Sequence, residues 1–306
     1  MGHEPKDVIA YLPLEKRVVD TQYHDLLRQI YEDGETVRPI HGGESRMIAG
    51  AQMRFTMANG FPVITERDLS GNLSYGALAE HIAFLHGAHT LEELRAWGVK
   101  DCWWAPWVTK EKCEFFGLRE GELGSASYGE AWTRFPIRDG GTFNQITAVI
   151  DQIKRMPFLR THRITSWYPP EIIGPPGTRR VVVAPCHGDI YINMFPEKKE
   201  LIIHHVQRSG DLPVGVAFNL VQYAAFGMML AKILEYTFTE LVYTFNDVHL
   251  YEMQYPHVEE LLAREPFPFP TVTLSKDADD IMAFRPRDFT LKDYVSHPKM
   301  TIPTPI

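Results

Sequence analysis

Apolar side chains recur at helical spacing over residues 20–33, where Tyr23, Leu26, Leu27, Ile30 and Tyr31 share one face and Gly34 follows as a stop. The pattern predicts an amphipathic first helix. Residues 37–46 lose that period, contain Gly42-Gly43 with Arg38 and Arg46, and read as a flexible loop. Two short strands are expected over 51–55 and 61–64, around an Asn59-Gly60 turn. The helical period returns over 73–85, with Leu78, Ile82 and Leu85 aligned, and again over 143–156. Residues 181–207 are strand-rich and fold back through Pro196-Glu197-Lys198-Lys199, which predicts a hairpin. The segment 219–236 is apolar on all sides, as a core helix is. Its parent run, 216–234, approaches membrane-spanning length, but Asn219, Gln222 and Lys232 interrupt it and no second such run exists. A buried central helix is the expectation.

Residues 97–124 differ most in composition, with Trp97, Trp103, Trp104, Trp107, Phe115 and Phe116 crowded between charges. They predict an elaborated lid or wall. Proline becomes dense from Pro266 onward, and 303–306 is expected to be a mobile tail. No repeat, linker or break in composition divides residues 1–306, so a single domain is expected. At 306 residues, with 44% hydrophobic and 23% charged side chains, the chain has the make-up of one large soluble domain. A net charge of -8 argues against general nucleic-acid binding and leaves room for an Arg cluster that holds one small anion. The N-terminus lacks a basic segment followed by an apolar core, so no secretory leader is expected. Cys102, Cys113 and Cys186 are odd in number and show no metal-ligand spacing. Reduced thiols, no metal and a cytoplasmic location are the expectation.

The candidate chemistry gathers around Cys186. A lone cysteine is more often a small buried hydrophobe than a nucleophile. Beside His187, and within reach of guanidinium groups, its thiol is expected to have a lowered pKa. Pro185-Cys186-His187, Gln207-Arg208-Ser209-x-Asp211, Phe218-Asn219 and Asp247-x-His249-x-Tyr251 stand in one order and spacing. Upstream come Gly50-x-Gln52-Met53-Arg54-Phe55, Gly60-Phe61-Pro62, and Tyr128-Gly129 with Trp132; Arg264-Glu265-Pro266 comes downstream. With these motifs the chain resembles, over nearly its whole length, the thymidylate synthases and their relatives, the pyrimidine nucleotide hydroxymethylases. The resemblance implies an α+β fold in which helices cover a large mixed sheet around a central buried helix.

It also implies roles. Cys186 would be the nucleophile, with Tyr128 and His187 beside it and Glu80 moving protons through water. Arg208, Ser209 and Gln207 would bind the nucleotide, Asn219 the base, and His249 and Tyr251 the sugar hydroxyl. A loop arginine, Arg38 or, failing that, Arg46, would meet the phosphate. Arg160, with Arg163 supplying the charge lost where Thr161 stands, would cross a homodimer interface to the neighbour's phosphate. Asp211 would bind the pterin of 5,10-methylenetetrahydrofolate, and Trp103 or Trp104 would pack beside the reacting carbon.

A thiolate that adds at C6 of a pyrimidine makes C5 nucleophilic enough to take a methylene unit from a carrier. Hydride then leaves a methyl group, and water leaves a hydroxymethyl group. Gly188-Asp189-Ile190-Tyr191, Ala217, Asn246 and Glu252-Met253-Gln254 depart from the thymidylate synthase pattern, and polar groups near a site hold ordered water. The expectation is hydroxymethylation of CMP, dCMP or dUMP. The alternatives are thymidylate synthesis and, more remotely, a nucleotide-binding regulator without catalysis.

Overall fold

The main sheet of this computed structural model, which describes residues 7–39, 43–175 and 177–305, has seven strands among those residues. Their order is Glu35–Val37, Ser45–Ala49, Thr237–Tyr251, Glu200–Asp211, Asp189–Phe195 and Arg163–Ile164. Gln52–Thr56 pairs with the first half of Thr237–Tyr251, while Ser45–Ala49 pairs with its second half. All pairs are antiparallel except Glu200–Asp211 with Thr237–Tyr251, which is parallel. A parallel pair needs a crossover, and the helix Ala217–Leu234 supplies it. The fold is therefore α+β, a large mixed sheet covered by helices.

The central helix follows from its residues. It has no polar face, and 83% of its most apolar stretch is buried inside the protein. A wide turn over Leu212–Val216 precedes it, so it begins earlier than the pattern suggests, capped by Asp211, whose Oδ1 accepts from the Val214 N–H at 3.2 Å. A second helical run, residues 70–85, also contains a wide turn, Leu73–Ala77, before the regular helix Leu78–Leu85. Along Glu200–Asp211 the period of two puts Leu201, Ile203, His205 and Gln207 on the buried face.

The first helix spans Gln22–Asp33 and the later amphipathic one Gln145–Arg155. The hairpin pairs Asp189 with Val206 through Phe195 with Glu200. Two strand expectations fail. Residues 61–64 are buried without joining a sheet, because the Phe61 N–H bonds to the Pro270 carbonyl at 2.8 Å. Residues 181–188 are irregular, since Pro185 has no N–H and Gly188 stands at φ +104, where a Cβ would lie 2.8 Å from Ser166 Oγ. The loop expected at 37–46 is edged by paired strands, Glu35–Val37 with Ser45–Ala49. Gly42 of that loop and Ile306 of the tail lie outside the described residues. The tail through residue 305 packs on the body, with Met300 and Ile302 buried. Arg264 pins its approach, donating to the carbonyls of Glu66 at 2.6 Å and Pro298 at 3.1 Å.

Candidate functional site

The parallel pair of strands ends in a cavity of about 640 Å³. Ser209 is in register with Asp247 and Asp211 with His249, and all four line the cavity together with Tyr251, Arg208 and Cys186. Asp247, His249 and Tyr251 share one face because a strand alternates its side chains. Asp247 is an anchor: its carboxylate accepts from Ser209 Oγ at 2.9 Å and lies 3.0 Å from His249 Nδ1. Burial works against its charge, but these bonds and the nearby Arg208 hold its carboxyl below the usual range.

Cys186 is fixed through its backbone. Its N–H donates to the Tyr128 hydroxyl at 2.8 Å, and its carbonyl accepts from the N–H groups of Arg208 at 2.8 Å and Ser209 at 3.3 Å. Its Sγ lies 3.5 Å from Arg208 Nη2. Arg208 is aimed by the carbonyls of Pro185 and Ala184, at 3.0 and 3.1 Å, and lies over the Trp167 ring. The expected lowered thiol pKa is not found. Burial pushes the Cys186 thiol up, and the Arg208 guanidinium opposes this only in part. His187 does not activate the sulfur: its ring stacks on Tyr128 and pairs with the Tyr223 hydroxyl at 2.5 Å. Burial lowers its pKa to about 3, so the imidazole is neutral.

Behind the cavity runs a buried chain of hydrogen bonds. Trp104 Nε1 donates to Glu80 at 2.5 Å, and Gln222 Nε2 donates to the other carboxylate oxygen at 2.7 Å. Asn219 Nδ2 donates to Gln222 Oε1 at 2.9 Å, Gln207 Nε2 donates to Asn219 Oδ1 at 3.2 Å, and the Tyr243 hydroxyl donates to Gln207. Burial raises the Glu80 pKa to about 7, with the bonds from Trp104 and Gln222 opposing it. Asn219 is buried, off the cavity wall. Neither named tryptophan lines the cavity: Trp103 packs on Phe218, 4.9 Å between ring centres, and Trp104 serves Glu80. Trp107, three residues beyond Trp104 and past the end of its helix, is on the wall.

The arginines separate clearly. Arg38 stands at the rim, 84% exposed and 3.7 Å from Glu44. Arg46 turns away, its guanidinium over the rings of Tyr31 and Tyr255 and donating to the Tyr31 carbonyl. Arg160 is exposed, and Arg163 pairs with Asp189 at 3.3 Å over the Tyr191 ring; neither lines this cavity. Arg179, not singled out from the sequence, does. The available signal was an arginine pair shortly before Cys186. Asp211 is the acidic wall; burial raises its pKa, opposed by His249 and by Gln254, whose Nε2 donates to Asp211 at 3.0 Å and to the Pro303 carbonyl at 2.9 Å. Thr304 and Pro305 of the tail complete this side.

Of the positions that depart from the thymidylate synthase pattern, Ala217 is fully buried off the cavity wall, and Asp189 is turned to Arg163. Asn246 reaches the Arg208 carbonyl at 3.3 Å, and Gln254 holds Asp211. Among the described residues, no group of three or more His, Cys, Asp or Glu is arranged to hold a metal ion. The family model described as thymidylate synthase matches residues 21–306, spanning every strand of the sheet and every residue of the cavity wall. The chain belongs to the thymidylate synthase family, folate-dependent transferases that modify C5 of pyrimidine nucleotides.

Proposed function

We propose that the cavity binds a pyrimidine nucleoside 5'-monophosphate and that the protein hydroxymethylates it at C5. The observation that carries this reading is Cys186 Sγ, on the cavity wall and 3.5 Å from the Arg208 guanidinium. A phosphate seated against Arg208, Ser209 and Arg38 brings two negative charges to a wall that already holds positive charge. His249 and Tyr251 offer polar atoms to the sugar. Asp211 and the aromatic face of Trp107 fit a pterin, the first accepting from ring N–H groups and the second covering a flat surface.

The folate, 5,10-methylenetetrahydrofolate, supplies the methylene unit when bound. Cys186 bonds to C6 of the ring, which makes C5 the nucleophile, and the proton leaving C5 passes toward the Glu80 chain. A carboxyl with a pKa near 7 both gives and takes protons at neutral pH. Gln254 supports the hydroxymethyl outcome. Fully buried, it donates to Asp211 and to the Pro303 carbonyl and so couples the acidic wall of the folate side to the tail, at a position that departs from the thymidylate synthase pattern. A second chain completes the phosphate site in this reading, because Arg160 and Arg163 lie off the cavity of their own chain.

The test is incubation with methylenetetrahydrofolate and, separately, dUMP, UMP, dCMP and CMP, with products read by mass spectrometry and dihydrofolate by absorbance. A hydroxymethyl product without dihydrofolate is expected, and it names the base and the sugar together. A methyl product with one dihydrofolate per turnover would replace the reading with thymidylate synthesis. Cys186→Ser is expected to abolish turnover and to leave nucleotide binding intact, since a hydroxyl is a far weaker nucleophile at neutral pH. Nucleotide binding with no release of tritium from C5 would mean a regulator.

A further inference from the structure

Arg179 stands on the partition between two cavities. One is the cavity of Cys186; the other, of about 370 Å³, is walled by Trp107, Phe115, Phe116 and Lys112 of the aromatic segment, and both share Arg179. The arginine is held in place: its guanidinium lies 4.4 Å from the centre of the Phe116 ring, and it donates through Nε to the Val181 carbonyl at 3.0 Å and through Nη2 to that of Val182 at 3.1 Å. A guanidinium has five N–H donors, so three remain beyond these two. No carboxylate pairs with it among the described residues, and the charge that bears on it is the like charge of Arg208. Two half-buried guanidiniums on one cavity wall repel each other until an anion sits between them.

We propose that Arg179 is a further binding residue for the substrate's phosphate, acting with Arg208 as a two-guanidinium clamp whose second arm is buttressed by Phe116. The proposal rests on the nucleotide reading given above. It gives the aromatic segment a role: its ring fixes the arginine, so the clamp is preorganised and little rotamer freedom is lost on binding.

The experiment compares dUMP and CMP with deoxyuridine and cytidine by calorimetric titration, using the full chain, Arg179→Gln and Arg179→Lys. Loss of the fork is expected to weaken monophosphate binding about 10- to 100-fold and to leave nucleoside binding unchanged, with lysine in between. Equal affinity of the full chain and Arg179→Gln for the monophosphates overturns the proposal and leaves the nucleotide reading standing. Equal weakening of nucleoside and monophosphate also overturns it, since Arg179 would then only shape the wall. A folate titration on the nucleotide-bound protein is the third arm, and a loss confined to folate would assign the arginine to a carboxylate. A full chain that binds no pyrimidine nucleotide sinks the underlying reading, and the clamp with it.

Discussion

Glu80 accepts hydrogen bonds at both carboxylate oxygens from groups arranged as donors, the indole of Trp104 and the amide of Gln222. That polarity fixes its consequences. Its pKa is raised from 4.5 to about 7 by burial, so its contribution to stability is full below pH 4.5 and is lost as the pH rises through 7. The loss amounts to about 3 kcal/mol. Glu80→Gln removes this slope but turns an N–H toward one of the two donors, a cost of about 1–3 kcal/mol at every pH. The variant is therefore expected to be less stable than its parent at pH 4.5 and to recover about 3 kcal/mol relative to it by pH 8, measured by urea unfolding. A pH-independent difference would mean that Glu80 does not titrate near 7. The same change is expected to lower turnover about 10²- to 10⁴-fold, because the amide cannot pass a proton.

Gly227 shows what the central helix needs as an element. Alanine there gains about 1 kcal/mol of helix propensity. Its Cβ, however, would lie 2.5 Å from Cζ of Phe238, a fully buried ring on the strand packed against the helix. Overpacking costs about 1–3 kcal/mol, so Gly227→Ala is expected to be destabilising overall. The urea midpoint should fall with an unchanged slope, and Phe238→Leu in the same chain should restore part of the loss. An alanine variant as stable as the parent would mean that the helix has room to shift. This helix was legible in the sequence because an all-apolar segment has no place but the core, and the hairpin because alternation and a Pro-Glu-Lys-Lys turn are local signals. Residues 61–64 were not, since their fate depends on a bond to Pro270, which local alternation does not encode. Cys186 was legible through its linked motifs, but the state of its thiol was not. Neighbours in sequence point to different sides, and His187 turns into the Tyr128 and Tyr223 rings. Choosing among Trp103, Trp104 and Trp107 required knowing that a helix ends at Trp104 and that the chain then turns. Arg179 is held on the cavity wall in part by Phe116, 63 positions away in the chain, a contact that no local pattern encodes.

At the scale of the molecule, the arginines of the proposed phosphate site fall in two places on one chain. Arg38, Arg179 and Arg208 line the cavity, whereas Arg163 lies on the edge strand Arg163–Ile164 of the same sheet, with Arg160 just before it. The sheet face away from the central helix carries Ile202, His204 and Val206, each half-exposed. A homodimer in which each chain lends Arg160 and Arg163 to the other makes both facts useful. It also makes catalysis a property of the pair, and mixing of inactive chains tests it. Cys186→Ser lacks the proposed nucleophile, and Arg160→Gln with Arg163→Gln lacks the charges proposed to be lent. Unfolded together and refolded at equal amounts, about half the dimers are mixed, and each mixed dimer contains one site with its own Cys186 and the partner's intact arginines. Activity near a quarter of the unmodified dimer is expected from two preparations that are each inactive alone. If the mixture stays inactive while the unmodified protein sediments as a dimer, the arginines act within their own chain. If the arginine variant alone keeps full activity, the phosphate is held by Arg38, Arg179 and Arg208 without help from a neighbour.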